Sequence, residues 1–255
     1  AGMVVTASYN NGTEADVTVD AVVDVTVLEV AGNVTVTVTY AEKSETFEVT
    51  VPKPAPEEPE NIAEGTIEGT DIAWVIDAEG TLTVSGEGAI PDYTRGEVAA
   101  WNAYAKQVKK IVVADGITDI GNYAFYNLQK ATAIELASSV KVLGTQFIRG
   151  TAITEVTLPA VERLEAQAFA RADSLTTLIA GESVKDIYGT IFFSETVTIK
   201  APKDSYMGKY AENFADFFTV SANVTFESTG EATAPISYYG KAGENCFYAV
   251  YQNSA

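Results

Sequence analysis

The chain has 255 residues, 35 of them acidic against 16 basic, for a net charge of −19. A field of that sign repels nucleic acid and anionic lipid, which reward basic surfaces, and favours cationic partners, although physiological salt screens it over roughly 8 Å. Histidine is absent and Cys246 is the single cysteine, which removes Ser-His-Asp and Cys-His catalysis, His-ligated metals, an internal disulfide and a cysteine-held zinc.

Residues 3–51 alternate apolar and polar almost throughout. VVTASY leads into NNGT, a hairpin turn signal, and then ADVTV; VVDVTVLEV, NVTVTVTY and ETFEVTV continue the period of two, with AGN and AEKSE as turns. This pattern predicts an antiparallel β-sandwich over residues 1–51. GMVVTASYNNGTEADVT followed by NVTVTVTYAEKSETFEVTV resembles the bacterial immunoglobulin-like domains of cell-surface proteins. The resemblance implies one further strand before GMVV. The chain is therefore expected to start inside that domain, with one sheet edge short of a partner and open to pairing.

Four of the eight prolines fall at 52, 54, 56 and 59, in PKPAPEEPE. A stretch so rich in proline and glutamate, without large apolar residues, predicts an extended semi-rigid linker over residues 52–63. Beyond it, DIAWVI, the turn DAEG and TLTVSG predict a hairpin with Ile72, Trp74 and Ile76 facing Leu82 and Val84. Trp101 is expected in a loop, and the two tryptophans are expected to seal a core end.

Phe125, Phe147, Phe169 and Phe192 are spaced by 22, 22 and 23 residues. Aligned on them, VKKIVV, ATAIEL, ITEVTL and LTTLIA place apolar or small residues at positions one, four and six, and Ile120, Leu143, Leu164 and Ile187 form a third column. One such unit cannot bury its own face, whereas a stack of them builds a continuous core. IVVADGITDIGNYAFYNL and VTLPAVERLEAQAFARADSL resemble BspA-like leucine-rich repeats. AWVIDAEGTLTVSGEGAIPDY and TIKAPKDSYMGKYAENF resemble the ends of such arrays. The fold expected is mostly β: an immunoglobulin-like sandwich plus a short capped leucine-rich-repeat solenoid over residues 64–226. Unit two departs from the pattern, with GTQF where unit one has GNYAF, and unit three is one residue short before Leu164; both slips predict bulges or tightened turns.

DSYMGKYAENFADFF sets Tyr206, Tyr210, Phe214 and Phe217 at helical spacing behind Asp204 or Ser205 as N-cap, a helix to cover the open solenoid end. Residues 227–255 read as a β extension in which ISYY and CFYAVY form a hairpin. Packing on the solenoid end and the start of a further module both remain open for it.

Chemical motifs are sparse. Gly121 lies in no nucleotide fingerprint, Asp115 and Asp119 read as turn residues, and no calcium loop is present. No catalytic residue, cofactor or metal ligand is expected. The one extended surface the pattern predicts is the outward face of the first strand column: Lys110, Val112, Ala133, Glu135, Glu155, Thr157, Thr177 and Ile179, with Thr132, Thr154, Thr176 and Thr198 one step away. The resemblance implies an extracellular bacterial surface module, with no membrane insertion of this segment, that binds host matrix, mucosal or microbial surface proteins without catalysis. A structural stalk is the second reading. A glycan-binding or carbohydrate-active protein, needing an exposed aromatic platform or opposed carboxylates, is the third.

Overall fold

A computed structural model describes residues 4–24, 32–51, 60–241 and 247–251 of the chain. It falls into two units, Ala1–Glu58 and Pro59–Ala255.

In the first unit the alternating sequence makes strands. Thr6–Ser8 pairs antiparallel with Glu14–Asp16, and the turn between them closes through Tyr9 N–H donating to the Thr13 carbonyl at 2.9 Å. Asn11 Oδ1 accepts from Thr13 N–H at 3.0 Å, which is why asparagine suits that turn. Gly32–Tyr40 and Lys43–Val51 pair in one unbroken register, from Gly32 opposite Val51 to Tyr40 opposite Lys43, with Val22–Val23 along the other edge. The two-residue turn puts Ala41 and Glu42 at φ 48° and 63°, the left-handed pair that matches strand twist in tight hairpins. The described residues thus form a two-stranded and a three-stranded antiparallel sheet. Most of the expected strand VVDVTVLEV, residues 25–30, lies outside the described residues, as do linker positions 52–59.

The second unit begins within the stretch assigned to the linker. Ile62 N–H donates to the Ile76 carbonyl at 2.8 Å, and Ala63–Thr66 is already a strand against Ala73–Ile76. Ala73–Ile76 then pairs with Thr81–Ser85, setting Trp74 opposite Val84 and Ile76 opposite Leu82. All four are buried, as is Ile72, so the expected hairpin face is the start of the core.

From Thr81–Ser85 onward the chain winds into parallel coils. One column stacks Thr81–Ser85, Lys110–Val113 and Ala133–Leu136. It resumes with Glu155–Leu158, Thr177–Ala180, Thr196–Lys203 and Asn223–Glu231. A second column of shorter strands stacks Gly88–Ile90, Ile117–Ile120, Val142–Leu143, Arg163–Leu164 and Asp186–Ile187. The Asn223–Glu231 strand runs through position 226, where the sequence reading ends the solenoid. It stays in register because Val224 and Phe226 alternate inward onto the core.

The repeat columns are the core. Phe125, Phe147, Phe169 and Phe192 are all 0% exposed, and Ile120, Leu143, Leu164 and Ile187 are buried beside them. Phe169 lies 5.5 Å from Phe147 and 5.8 Å from Phe192, centroid to centroid. The caps extend this aromatic stack. Trp101 meets Phe125 at 5.8 Å and Trp74 at 6.1 Å, while Phe214 meets Phe192 at 6.2 Å. Trp101 sits in a short 3-10 helix, Ala100–Tyr104, where a loop is expected. Its indole N–H donates to the Ala124 carbonyl at 3.0 Å, satisfying its one buried polar atom.

The tightened turn expected for GTQF is not found. The turns 122–127, 145–150 and 166–171 are equal in length, and the second residue of each, Tyr123, Gln146 or Gln167, takes positive φ (55°, 51° and 60°). The second unit therefore differs in side chains and not in turn length: Phe147 stands where the others have Ala124 and Ala168, and Ile148 where they have Phe125 and Phe169, all of them buried.

At the C-terminal end, Ser205 Oγ accepts from Gly208 N–H at 3.1 Å and is the N-cap. The expected single helix is two, Tyr206–Glu212 and Phe214–Phe217, because Asn213 leaves helical geometry and its side-chain amide donates back to the Lys209 carbonyl at 2.8 Å. Ile236–Lys241 and Phe247–Tyr251 form the expected antiparallel hairpin. Its base packs on the cap: Ile236 is buried, and its N–H donates to the Asp204 carbonyl at 2.8 Å.

Candidate functional site

Period-two geometry turns every second residue of the long-strand column outward. Parallel pairing then aligns Lys110 with Ala133, Val112 with Glu135, Glu155 with Thr177 and Thr157 with Ile179. All eight are half-buried or exposed, while their neighbours Ile111, Ile134, Val156 and Leu178 are buried. The flanks of this row are ion-paired, Lys110 to Glu135 at 2.7 Å and Lys200 to Glu227 at 3.2 Å. Its middle, Glu155, Thr157, Thr177 and Ile179, makes no ion pair among the described residues. Of the neighbouring threonines, Thr176 Oγ1 donates to the Thr154 carbonyl at 3.1 Å and Thr132 Oγ1 to the Lys109 carbonyl at 3.4 Å. These hydroxyls tie one coil to the next.

Gly121, which raised the question of chemistry, has a packing role. A Cβ on Gly121 would stand 2.2 Å from the Pro91 carbonyl oxygen, so this glycine permits one coil to lie against the previous one. Beside it a hydrogen-bonded ladder crosses three coils: Asp92 Oδ1 accepts from Asn122 N–H at 2.7 Å, and Asn122 Oδ1 accepts from Thr145 N–H at 2.6 Å. Asp119 accepts from its neighbour Thr118 Oγ1 at 2.6 Å. This corner outlines a cavity of about 650 Å³ that also takes in Arg163 and Glu165, themselves paired at 3.1 Å. In the first unit a larger groove of about 890 Å³ runs between the two sheets, with Val5, Tyr9, Val17, Val38, Tyr40 and Phe47 among its walls. Among the described residues no group of three or more metal-ligating side chains converges, and no helix is long and apolar enough to cross a membrane.

Two polar groups terminate the solenoid. In the inner coils each turn donates backbone N–H groups to carbonyls of the next, as Asn127 N–H does to Arg149 at 2.7 Å and Gly150 N–H to Arg171 at 3.0 Å. At the fourth unit a side chain takes over part of that accepting role. The Glu195 carboxylate, 4% exposed, takes the N–H of Arg171 and those of Phe193 at 2.6 Å and Ser194 at 2.9 Å. The Tyr210 hydroxyl accepts from Ile191 N–H at 3.0 Å, and burial pushes that phenol far above the ordinary tyrosine range. Beyond the cap, Glu182 receives Thr233 N–H at 2.8 Å and Ala234 N–H at 3.0 Å, plus the Thr233 hydroxyl. Those amide donors, Thr233 first and then Ala234, hold its carboxyl below the usual carboxylate range.

A second surface escapes the strand-based reading. The residues just after each core aromatic form the solenoid's turn face: Tyr126, Arg149, Arg171 and Phe193. Phe193 is 43% exposed, and the Arg171 guanidinium lies 4.8 Å above its ring. Tyr126 meets Tyr123 edge to face at 5.9 Å. The signal was present in the alignment on the repeat phenylalanines: one and two positions later, the units read YN, IR, AR and FS. That is a variable pair beside an invariant one.

Stacked parallel coils with an aromatic spine, covered at one end by a hairpin and at the other by helices, define a repeat scaffold. Residues 102–211 match the family described as BspA type Leucine rich repeat region (6 copies), in agreement with the repeat phrases. Among solved structures, the chain is similar to a leucine-rich repeat protein from Eubacterium ventriosum (22% identity, 58% of this chain and 45% of that one, TM-score 0.46). It is also similar to a leucine rich cell surface protein from Faecalibacterium prausnitzii (16% identity, 77% of this chain and 62% of that one, TM-score 0.32). The chain thus spans less than two thirds of the length of either. A leucine-rich repeat protein from Bacteroides ovatus is similar over 68% of this chain and 78% of its own, at 12% identity and TM-score 0.28. Among curated proteins there is no match.

Proposed function

We propose that the chain is part of a bacterial cell-surface protein whose repeat unit recognises a protein partner by surface complementarity, without catalysis. The observation that carries this reading is the flat outward row of the strand column. At its centre Glu155, Thr157, Thr177 and Ile179 are held by the ladder and engaged in no ion pair among the described residues. Rigid, regularly spaced side chains lose little conformational entropy on binding. The match over residues 102–211 to the BspA type repeat region supports the bacterial surface setting. The hairpin turns and two antiparallel sheets of the first unit support an immunoglobulin-like module beside it. Host matrix, mucosal and microbial surface proteins are the proposed partners.

A structural stalk is the second reading, favoured by the absence of aromatic side chains from this row, since such residues dominate binding hot spots. Glycan binding loses a tryptophan platform, because Trp74 and Trp101 are 5% and 0% exposed and belong to the core. The test is surface plasmon resonance of the full chain against a panel of matrix proteins and mucins, beside a Thr157→Arg/Thr177→Arg variant. Binding to at least one partner that falls tenfold or more in the variant is expected. Uniform absence of binding favours the stalk.

A further inference from the structure

The chain carries 35 acidic residues and 16 basic ones, and its described cations divide into those engaged by a carboxylate and those, such as Lys109, Lys130 and Lys185, that make no ion pair. Lys110, Lys141, Arg163, Lys200 and Lys209 all pair with acidic side chains. Arg149 and Arg171 make no ion pair among the described residues, and they lie in neighbouring coils of the turn face, linked by Gly150 N–H donating to the Arg171 carbonyl. The Glu195 carboxylate is buried and accepts from three backbone N–H groups, that of Arg171 among them. Asp173, two residues beyond Arg171, is exposed and pairs with neither arginine.

Both guanidinium groups are pre-positioned. Arg149 Nη1 donates to Gln146 Oε1 at 2.7 Å, and Gln146, only 8% exposed, donates in turn to Gln167 Oε1 at 3.1 Å. Arg171 is stacked over Phe193. Each guanidinium has five N–H donors in a planar fork, so donors remain for a bidentate carboxylate. Tyr126 and Phe193 lie one coil to either side. At about 4.8 Å per coil the four residues span roughly 14 Å, the length of about four residues of extended chain.

We propose that this turn face, Tyr126–Arg149–Arg171–Phe193, is a docking site for an acidic segment of a protein partner, held by contacts at hydrogen-bond range while physiological salt screens the opposing net charge of the chain over roughly 8 Å. Arginine flanked by aromatics is the composition of interface hot spots. A protein segment fits better than a sugar chain for a geometric reason. Arg171 already covers one face of the Phe193 ring, and Tyr123 and Tyr126 meet at 84°, so neither offers the flat paired platform on which a sugar ring stacks.

The test is selection from a random dodecapeptide display library on the full chain and on its Arg149→Ala/Arg171→Ala variant, with affinities of enriched peptides measured by fluorescence polarisation. Peptides carrying two or more Asp or Glu residues are expected to be enriched, with affinity falling about thirtyfold in the double variant. Arg149→Lys/Arg171→Lys should recover part of it, and Thr157→Arg/Thr177→Arg on the strand row should leave it unchanged. That last arm separates failure of this site from failure of the strand row. Absence of acidic enrichment, or enrichment that persists on the double alanine variant, overturns the proposal. So does salt-sensitive retention on a heparin column without peptide enrichment, which assigns the two arginines to a sulfated glycan. Unchanged tryptophan fluorescence of both double variants confirms that the fold is intact.

Discussion

The two units start from similar material and finish differently. Both are written in short Val- and Thr-rich strands, yet in the first unit Val17 and Val36 are the buried apolar side chains among the described residues, while Val19, Val22 and Val4 are 93%, 67% and 67% exposed. In the second unit nearly every apolar column position is closed. Alternation alone produces a sheet with one face to cover. A repeat that returns the same side chains every coil supplies the cover from its own neighbours.

The largest effects should come from cutting the repeat stack. Phe169→Ala removes the ring between Phe147 and Phe192 and is expected to cost about 3–5 kcal/mol. Denaturant unfolding followed by tryptophan fluorescence will read this, since both tryptophans, Trp74 and Trp101, lie in the repeat unit. Val36→Ala in the first unit loses two buried methyls and should cost about 1–2 kcal/mol, read by circular dichroism. An equal loss for both substitutions would erase the contrast.

Next in size is the end of the solenoid. Glu195→Ala leaves the N–H groups of Arg171, Phe193 and Ser194 without their acceptor and should cost about 1–3 kcal/mol in thermal unfolding. Coil-to-coil approach is tested by Gly121→Ala, whose new methyl must push against the Pro91 carbonyl, for about 1–3 kcal/mol. Gly181→Ala, which meets nothing within 4 Å, should be near neutral in the same assay. The smallest effect is local and acid-dependent. Because the folded Glu182 carboxyl titrates below its unfolded value, its tether to Thr233 and Ala234 is fully present above the ordinary carboxylate range and is lost as pH falls through the folded value. Amide exchange at Thr233 and Ala234 should therefore accelerate in acid, and Glu182→Gln should remove that pH dependence.

The repeat was legible because burial at positions 125, 147, 169 and 192 demands the same residue at nearly the same spacing. The N-cap was legible to within one residue, as Asp204 or Ser205, and the hydrogen bond from Gly208 N–H assigns it to Ser205. The helix break at Asn213 was hidden, because its cause is a side-chain bond back to the Lys209 carbonyl that periodicity does not register. The role of Gly121 was hidden for a related reason: its constraint comes from a carbonyl 30 residues earlier in the chain, at Pro91. Glu195 reads as one more surface acid in an acidic chain until its carboxylate is seen to stand in for the carbonyl acceptors of the Arg171, Phe193 and Ser194 N–H groups. The strand row could be placed from alternation. The turn face was passed over, because it is made of the residues that vary while the phenylalanine beside them repeats.

Hydrogen–deuterium exchange of the intact chain, read by mass spectrometry, tests the contrast between the units most directly. Amides of Glu155–Leu158 and Thr177–Ala180 should stay protected far longer than those of Gly32–Tyr40 and Lys43–Val51, although the latter pair forms the longer unbroken ladder. Equal protection, or faster exchange in the repeat columns, would contradict the claim that the self-stacking core, and not strand pairing, holds this fold together.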